Sequence, residues 1–448
     1  MIRSLPGLIP GRTLFKYLGM LLVMALLLPL LRIFTEWNVD TFAALWWWLP
    51  AMTAGLALVD ALRLCTAPEP YAWRQLPSNL SLGATARIRL RFDNPGTDPV
   101  RLSCTDDYPD ALITEQLPVE LEIPPGESGV VEYSARPIRR GPARFGAIGM
   151  RIRSPLGFWR LQRAVDAEQV VNVYPDFMAL AQLNFLDYEQ RIAHMGAHLS
   201  QRRGSGLTFR QLREYQRGDE IRQIDWKATA RQQRLISREY QEERDQDILF
   251  MLDTGRRMRA MDGELSHLDH ALNALLLTAY MALGAGDAVG VLGFAGSSRW
   301  LRPVKGRQGI NTLLNGLYDL HSSTEASDVV QAAGLLMQHQ QKRSLVILVT
   351  NLRDDDSDDL QTAVRLLSRK HLVMVACLRE GYLDHQPGAQ PELDEALRHC
   401  ARTLYREQRG QLIHRLKSRG VMVVDAVPQL MHVALVEQYT ALKRAGKI

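Results

Sequence analysis

The chain has 448 residues, which is long enough for two or three domains. Hydrophobic residues make up 46% and charged residues 23%, a composition typical of a globular protein that also carries a short membrane segment. The net charge of +5 is too small for this length to indicate a dedicated nucleic-acid-binding protein. The four cysteines are scattered without a Cys-x-x-Cys pair, so the sequence predicts a reducing compartment and no zinc site or disulfide framework.

Two apolar segments follow a short N-terminus, residues 1–13. The segments 14–34 and 42–62 are each predicted to be a transmembrane helix, because about 20 apolar residues cross a hydrocarbon core of about 30 Å. The tryptophans from Trp46 to Trp48 are typical of a membrane interface. A cleaved signal peptide is the alternative for the first segment, although the second segment close behind it favours a helix pair.

Flanking charges predict the orientation of these helices. Basic residues precede the first helix and follow the second, whereas the short connection between the helices is acidic: Arg3, Arg12 and Lys16; Arg63 and Arg74; Glu36 and Asp40. Basic residues favour the cytoplasmic side, so we expect a two-pass protein of the bacterial inner membrane. Both termini and all soluble domains would then lie in the cytoplasm.

Residues 75–175 are predicted to form an antiparallel β-sandwich domain. Residues 85–92 alternate apolar and basic side chains with the period of a half-buried strand. Turn clusters such as Ser154-Pro155-Leu156-Gly157 separate further short strands, which is the spacing of a sandwich. The strand arginines form either a solvated face or a docking surface, and no catalytic constellation is recognisable in this segment.

Residues 176–201 are predicted to form a helical linker. His194 and His198 lie four residues apart and could bind a metal from one face of a helix. The alternative, two exposed histidines in a linker, is favoured because no carboxylate ligand lies nearby.

Residues 202–245 form a segment rich in charge of both signs. Eleven Lys and Arg stand against eight Asp and Glu between Arg202 and Asp245, a balance that does not fit a nucleic-acid-binding arm. One interpretation is an ion network, packed around Trp226, that fixes the segment against the following domain; its members are Asp219, Arg222, Asp225 and Arg231. The other is a partner-binding face formed by Arg213, Arg222 and Arg231, since Arg and Trp are frequent at binding hot spots.

The same segment resembles a known protein family over a long ungapped pattern. The matching residues are Gly204, Gly206, Phe209, Leu212, Arg213, Tyr215, Gly218, Asp219, Arg222, Ile224, Asp225, Trp226, Ala230 and Arg231, followed by Leu235, Arg238, Glu239 and Glu243. They resemble the signature of the membrane-anchored family catalogued as domain of unknown function 58. The resemblance implies two membrane helices, a small β domain and a von Willebrand factor A-like α/β domain. It also implies a MoxR-type AAA+ ATPase as partner, and it implies no known chemistry.

Residues 246–448 alternate between strand and helix patterns, which predicts a doubly wound α/β domain. The predicted strands are 248–252, 288–294, the edge strand 299–304, 345–349, 372–377 and 421–424. The predicted helices are 268–283, 310–320, 329–338, 360–369, 392–417 and 431–445. The alternation is what a von Willebrand A-like fold would give.

Ligands of such sheets gather at the carboxyl ends of the strands, where this chain places Asp253 and Asn351. The resemblance implies a metal-ion-dependent adhesion site there, built on Asp-x-Ser-x-Ser. Gly255 and Arg257 replace the two serines, so the motif at Asp253 is degenerate and Mg²⁺ binding is disfavoured. Either an arginine pairs with Asp253 in place of the ion, or Asp253 caps the following turn.

An acidic run, residues 354–359, lies just beyond the same strand ends. These residues either stabilise the N-terminus of the next helix or bind a cation or a basic partner.

The expected function is that of a membrane-anchored scaffold or adaptor, not an enzyme, that needs no cofactor. It would bind a protein partner through the A-like domain. The resemblance implies that this partner is a MoxR-type ATPase and that the pair acts in protein-complex maturation or envelope stress. No P-loop motif is present in the sequence. The alternatives are a membrane-associated enzyme with a non-standard site and a receptor that binds proteins through a divalent cation.

Overall fold

The computed structural model describes residues 7–34, 46–177, 208–216, 224–241, 246–296, 298–352, 357–384 and 393–448. These residues divide after Tyr174 into two compact units. The first unit contains the N-terminal helices and the sandwich, and the second contains the signature segment and the α/β domain. Each unit is described by itself.

The first unit begins with strand β1, Gly7–Pro10, which continues into helix α1, Arg12–Phe34. Helix α2, Trp48–Thr66, follows. Among the described residues, α2 is the one helix whose length and apolar composition are sufficient to cross a membrane. The observed helix ends at Thr66, four residues after the predicted segment 42–62. Residues 42–45 of that segment lie outside the described ranges.

The remaining strands of this unit fold into three antiparallel or mixed sheets. They are β2 Tyr71–Gln75, β3 Leu80–Ser81, β4 Ala86–Asp93, β5 Val100–Asp106, β6 Leu112–Ile113, β7 Val119–Ile123, β8 Ser128–Pro137, β9 Gly141–Phe145, β10 Ile148–Arg153, β11 Trp159–Val165 and β12 Gln169–Tyr174. The strand orders are β1-β11-β10-β5-β7, β2-β4-β8-β6 and β3-β12-β9. Strand β2 thus begins four residues before the predicted domain boundary at residue 75. Strand β1, which lies in the predicted cytoplasmic N-terminus, also pairs with this domain through β11.

Alternation between buried and exposed side chains explains the sandwich. In β4, Ile88, Leu90 and Phe92 are fully buried, whereas the intervening Arg87 and Arg89 are exposed. Arg89 forms an ion pair across the sheet with Glu132 of β8. Arg87 and Arg89 therefore lie on the exposed face of the sheet, as both predicted alternatives require.

Arg74 is an exception that corrects the charge argument for orientation. Its guanidinium is buried and bonded through two nitrogens to the carboxylate of Asp106, which also accepts from Tyr133 Oη at 2.5 Å. A buried guanidinium that is neutralised in this way does not act as a juxtamembrane positive charge. Of the two basic residues that follow the predicted segment 42–62, Arg63 is exposed and Arg74 is buried.

The second unit begins at Pro175, and Phe177 is buried in its core. Residues 178–207 lie outside the described ranges, and with them lie the predicted helical linker from residue 178 onward, His194 and His198. The signature segment is described as strand β13, Thr208–Glu214, helix α3, Trp226–Gln232, and strand β14, Ile236–Gln241. Strands β13 and β14 pair antiparallel, so this segment contains a two-stranded ribbon that carries a short helix.

A six-stranded sheet with flanking helices forms the rest of this unit. Its elements in chain order are β15 Asp247–Asp253, the short hairpin β16 Met261–Asp262 and β17 Leu265–Ser266, α4 His267–Gly284, β18 Ala288–Phe294, β19 Arg299–Val304, α5 Gly309–Leu317, α6 Val329–His339, β20 Leu345–Thr350, α7 Ser357–Ser368, β21 Leu372–Leu378, α8 Leu393–Ser418, β22 Met422–Ala426 and α9 Met431–Arg444. The strand order is β19-β18-β15-β20-β21-β22. All neighbours pair in parallel except β19, which is antiparallel at the edge.

The sheet is buried on both faces, which accounts for its long apolar strands. One core contains side chains of α4, α5 and α9 against one face, and a second contains side chains of α6, α7 and α8 against the other. Every residue of β18 and β20 is buried. The doubly wound arrangement follows because each crossover helix must cover part of a face.

Candidate functional site

The strand order reverses between β15 and β20. From β15 the chain adds β18 and β19 on one side, and it then returns to add β20, β21 and β22 on the other. Such a switch point opens a crevice at the carboxyl ends of the two central strands, which is where doubly wound proteins bind ligands. In this chain those ends are Asp253 and Thr350, and the next residue is Asn351.

The Asp253 carboxylate lies in the centre of this edge and is 1% exposed. Its Oδ1 accepts hydrogen bonds from the Gly255 amide at 2.8 Å and from Ser327 Oγ at 2.6 Å. Its Oδ2 accepts from Thr350 Oγ1 at 2.7 Å. Among the described residues, a backbone amide and two hydroxyls are thus the donors to Asp253. This geometry matches the predicted turn cap.

The residues at this edge do not fit the metal site that the resemblance implies. Gly255 stands where a ligating serine is required, and a Cβ there would overlap Ser327 Oγ and lie 3.1 Å from Asp253 Oδ1. The hydroxyl from the loop before α6 therefore fills the space of the missing side chain. Within the described ranges, no group of three or more His, Cys, Asp or Glu side chains is placed to hold a metal.

Asn351 lies beside Asp253 at the end of β20 and is fully buried. Its Nδ2 donates to Glu380 Oε1 at 2.8 Å and lies 3.3 Å from His267 Nδ1. His267 begins α4, and its backbone amide donates to Ala260 O at 2.8 Å. The amide of Asn351 therefore joins the ends of β20 and β21 to the start of α4.

The rim around this buried cluster is exposed. Arg256 lies on one side, where its amide donates to Glu325 O at 3.0 Å. On the other side lie Met261, in β16, and Tyr382, which follows Glu380; they are 64% and 58% exposed. We call these four residues, Arg256, Met261, Glu325 and Tyr382, the crest surface. Arg, Met and Tyr are enriched in protein–protein interfaces.

Of the predicted ion network, the structure describes Asp225 and Arg231. Asp225 caps α3, with Oδ1 accepting from the amides of Lys227 and Ala228 at 3.0 Å, and its Oδ2 accepts from Arg238 Nε at 2.9 Å. The Ala228 amide and the Arg238 side chain lower the pKa of Asp225. Among the described residues, the arginine that pairs with Asp225 is Arg238 of β14, because the hairpin brings β14 next to the helix cap.

The prediction that Trp226 is a packing anchor is wrong. Trp226 is the first residue of α3 and is 64% exposed. Arg231, in the last turn of the same helix, is also exposed, whereas Arg213 in β13 is half-buried and donates to the Glu214 carbonyl at 3.0 Å. Asp219 and Arg222 lie outside the described ranges.

The acidic run is only partly described. Asp358 and Asp359 lie in the first turn of α7, where their charge complements the helix dipole. Residues 354–356 lie outside the described ranges.

Three residues of the buried cluster were not singled out from the sequence: Ser327, Thr350 and Glu380. Thr350 ends an apolar strand next to Asn351, so its position at the switch point could have been found from the strand pattern. Ser327 could not, because the loop before α6 offers four hydroxyl residues, Ser322, Ser323, Thr324 and Ser327, with no pattern that selects one.

Comparison with known proteins agrees with the resemblance in the central part of the chain. A family model described as "Protein of unknown function DUF58" matches residues 211–384, less than half of the chain. Asp253, Asn351 and all the singled-out signature residues from Arg213 onward lie inside this range. A relative from Bacillus subtilis (strain 168), "Uncharacterized protein YeaD", is 23% identical over 203 residues. The match spans 45% of this chain and 50% of that relative, so the chain covers about half the length of the curated relative it matches.

Solved structures overlap with parts of the chain at low identity. An aerotolerance-related membrane protein from Bacteroides fragilis NCTC 9343 is 16% identical, with 44% of this chain and 98% of that chain covered and a TM-score of 0.28. The ASH/PapD-like domain of human CEP192 is 11% identical, with 24% of this chain and 86% of that chain covered and a TM-score of 0.19. Both TM-scores are below 0.5, and neither overlap defines the fold of this chain.

Proposed function

We propose that this chain is a membrane-anchored, non-enzymatic adaptor that docks a protein partner at the crest surface of a von Willebrand A-like domain. The partner is a MoxR-type AAA+ ATPase, and the pair acts in protein-complex maturation or envelope stress. The anchor is a two-pass helix pair in the bacterial inner membrane, with the soluble domains in the cytoplasm.

The observation that carries the proposal is the contrast between the buried cluster and its rim. Asp253 and Asn351 are buried, and both are hydrogen-bonded to other protein groups. Groups of this kind hold the strand ends and loops in fixed positions. The side chains that reach solvent around them include Arg256, Met261 and Tyr382, which suit the recognition of another protein surface.

Three further features support the proposal. The strand order, with the first strand of the sheet in its centre and one antiparallel edge strand, is consistent with an A-like domain. The family match covers the signature segment from residue 211 onward and the strand ends that hold the cluster. Helix α2 has the length and composition of a membrane span, which supports an anchor.

Copurification of the intact chain with a MoxR-type ATPase tests the proposal. The detergent-solubilised chain would be tagged and incubated with the nucleotide-free ATPase, in EDTA and in excess Mg²⁺. We expect retention of the ATPase in both conditions, because the Asp253 site does not fit a metal. We expect Arg256→Glu and Tyr382→Ala to reduce retention.

Arg419→Glu is the matched control, because Arg419 is exposed and precedes β22 at the opposite edge of the sheet. An ATPase that the unsubstituted chain does not retain contradicts the partnership. Retention that requires Mg²⁺ contradicts the metal-free interpretation of the site.

A further inference from the structure

The turn between β10 and β11 is bonded to helix α2. The Asp60 carboxylate accepts hydrogen bonds from Ser154 Oγ at 2.5 Å, from the Leu156 amide at 3.0 Å and from the Phe158 amide at 3.2 Å. Trp159 Nε1 donates to the carbonyl of Ala57, one helical turn earlier, at 2.8 Å. Asp60 is 1% exposed, so the turn covers the single acidic side chain of α2.

The same turn is bonded to the start of helix α1. The Gly11 amide donates to the carbonyl of Phe158 at 2.6 Å, and the Thr13 hydroxyl donates to the carbonyl of Gly157. The ring of Tyr17 meets the ring of Phe158 edge to face, with centroids 5.5 Å apart. Residues 154–159 therefore contact both N-terminal helices.

These contacts fix the level at which the turn lies along the helices. Helix α1 starts at the turn and runs away from it for 23 residues, about 34 Å at 1.5 Å per residue. From Asp60 back to Trp48, α2 runs away from the turn for about 18 Å. Only the last residues of α2, which include the basic Arg63, extend past this level toward the sandwich. The turn thus lies beside the start of α1 and the C-terminal part of α2.

The side chains exposed at this end of the sandwich have the composition of a membrane interface. Leu156, at the tip of the turn, is 51% exposed, and Tyr71, the first residue of β2, is also exposed. The basic residues Arg12, Lys16 and Arg63 are exposed on the two helices near this level. Aromatic and basic side chains are favoured at the level of lipid headgroups.

We infer that the β10–β11 turn of the sandwich lies in the membrane interface, with Leu156 inserted among the lipid headgroups and upper acyl chains. This inference rests on the membrane anchoring in the proposed function, and it adds a lipid-contacting surface on the sandwich itself. A carboxylate in an apolar helix is costly in lipid unless its oxygens are bonded. The three donors from the turn satisfy Asp60 at this depth, so the turn and the helix pair enter the interface as one structure.

A fluorescent probe at Leu156 tests the inference in the full chain. An environment-sensitive NBD label would be attached to Leu156→Cys in protein reconstituted into nanodiscs of phosphatidylcholine and phosphatidylglycerol. Cys65 and Cys400 are exposed and would be replaced by Ser. Cys104 and Cys377 are buried, and burial raises the pKa of both thiols, that of Cys377 to about 12, so they would remain unlabelled.

Ile113→Cys provides the matched control. Ile113 is 50% exposed, almost the same fraction as Leu156. Strand β5 shows which end of the sandwich holds the turn. Arg101, at the start of β5, pairs with Arg153 beside the turn, whereas Asp106, at the end of β5, pairs with Ile148. Ile113 lies in β6, which follows the end of β5 that is distant from the turn. The two labelled positions therefore lie at opposite ends of the same sandwich.

The inference predicts blue-shifted emission at position 156, quenched by nitroxide-labelled lipids, and water-like, unquenched emission at position 113. Water-like emission at both positions in protein that is recovered in nanodiscs would overturn the inference and leave the anchor intact. Equal quenching at both positions would also overturn it, since no particular end of the sandwich would then meet the lipid. Protein that is not recovered in nanodiscs would overturn the inference and the anchor together. The copurification with the ATPase in detergent tests the partnership and does not depend on either.

Discussion

Thr350 donates a hydrogen bond of 2.7 Å to the buried carboxylate of Asp253, across the point where the strand order of the sheet reverses. The bond joins the ends of β15 and β20, whose crossovers leave in opposite directions. Ser327 bonds the other oxygen of the same carboxylate from the loop before α6. One acidic side chain therefore holds three separate parts of the domain together at the edge where its proposed partner docks.

Thr350→Val tests the energetic role of this bond. The substitution preserves the shape of the side chain but removes one donor from a buried carboxylate. We expect a loss of about 1.5–3 kcal/mol in local stability, the usual range for a hydrogen bond to a charged group. Hydrogen exchange of peptides from β15 and β20 measures it, because exchange reports local opening.

Thr324→Val is the control for Thr350→Val, since Thr324 is an exposed residue of the loop that carries Ser327. We expect no change in exchange for this variant. Equal protection in both variants would show that the Thr350 bond does not stabilise the switch point.

The close approach of Ser327 to Gly255 predicts a coupling between these positions. Gly255→Ala places a Cβ against Ser327 Oγ and should destabilise the domain by about 1–3 kcal/mol, as overpacked buried sites do. Ser327→Ala removes that oxygen, so Gly255→Ala should cost less in the Ser327→Ala background. A double-mutant cycle measured by urea unfolding gives the coupling energy.

Gly334→Ala is the matched glycine control for this cycle. A Cβ at Gly334, inside α6, meets no atom within 4 Å, and alanine favours the helix, so this variant should gain about 0.5–1 kcal/mol. Additive effects of Gly255→Ala and Ser327→Ala would contradict the contact.

The elements of the α/β domain follow closely from the sequence, whereas the site does so only in part. The predicted strands 288–294 and 299–304 coincide with Ala288–Phe294 and Arg299–Val304, because long apolar runs between turn residues specify buried strands. Asp253 and Asn351 could be placed at one edge because parallel strands end together. The donor Ser327 could not, since a loop brings it there through tertiary structure alone.

Trp226 shows where an argument from residue type fails. A tryptophan among charged residues predicts a packing anchor, but α3 has only seven residues, and none of them is buried. A helix that short presents no second large apolar side chain one turn later, so no apolar face forms around the tryptophan. Its exposure makes Trp226 a second candidate contact for a partner.

Burial of His371 predicts a dependence of stability on pH. Both ring nitrogens are buried and have no hydrogen-bond partner among the described residues, and burial, with a smaller effect of Lys370, lowers the pKa of His371. The unfolded chain therefore takes up the proton first, near pH 6.5, and stability falls as the pH decreases from there toward the folded-state pKa. Below that pKa both states are protonated and the loss levels off.

We expect His371→Phe to flatten the decrease in stability between about pH 6.5 and pH 5. Urea unfolding followed by circular dichroism across this range measures the slope. His414→Phe, at an exposed position of α8, should leave the slope unchanged. A slope equal to that of the unsubstituted chain in His371→Phe would show that another group titrates.

Loss of the Asp60 carboxylate should release the turn that it holds. Asp60→Ala leaves the Ser154 hydroxyl and the amides of Leu156 and Phe158 without their acceptor, so we expect faster hydrogen exchange across residues 154–159. Asp60→Asn retains one carbonyl acceptor and should give an intermediate rate. Unchanged exchange in Asp60→Ala would contradict the connection between α2 and the sandwich.

Photo-crosslinking from the crest surface tests whether the ATPase docks there. Benzoylphenylalanine would replace Tyr382, which is exposed at the carboxyl edge of the sheet, or Arg419, which is exposed at the opposite edge, in the intact chain mixed with a MoxR-type AAA+ ATPase. We expect a crosslink to the ATPase from position 382 and none from position 419. Crosslinks from position 419 alone, or from neither position, would contradict docking at the crest surface.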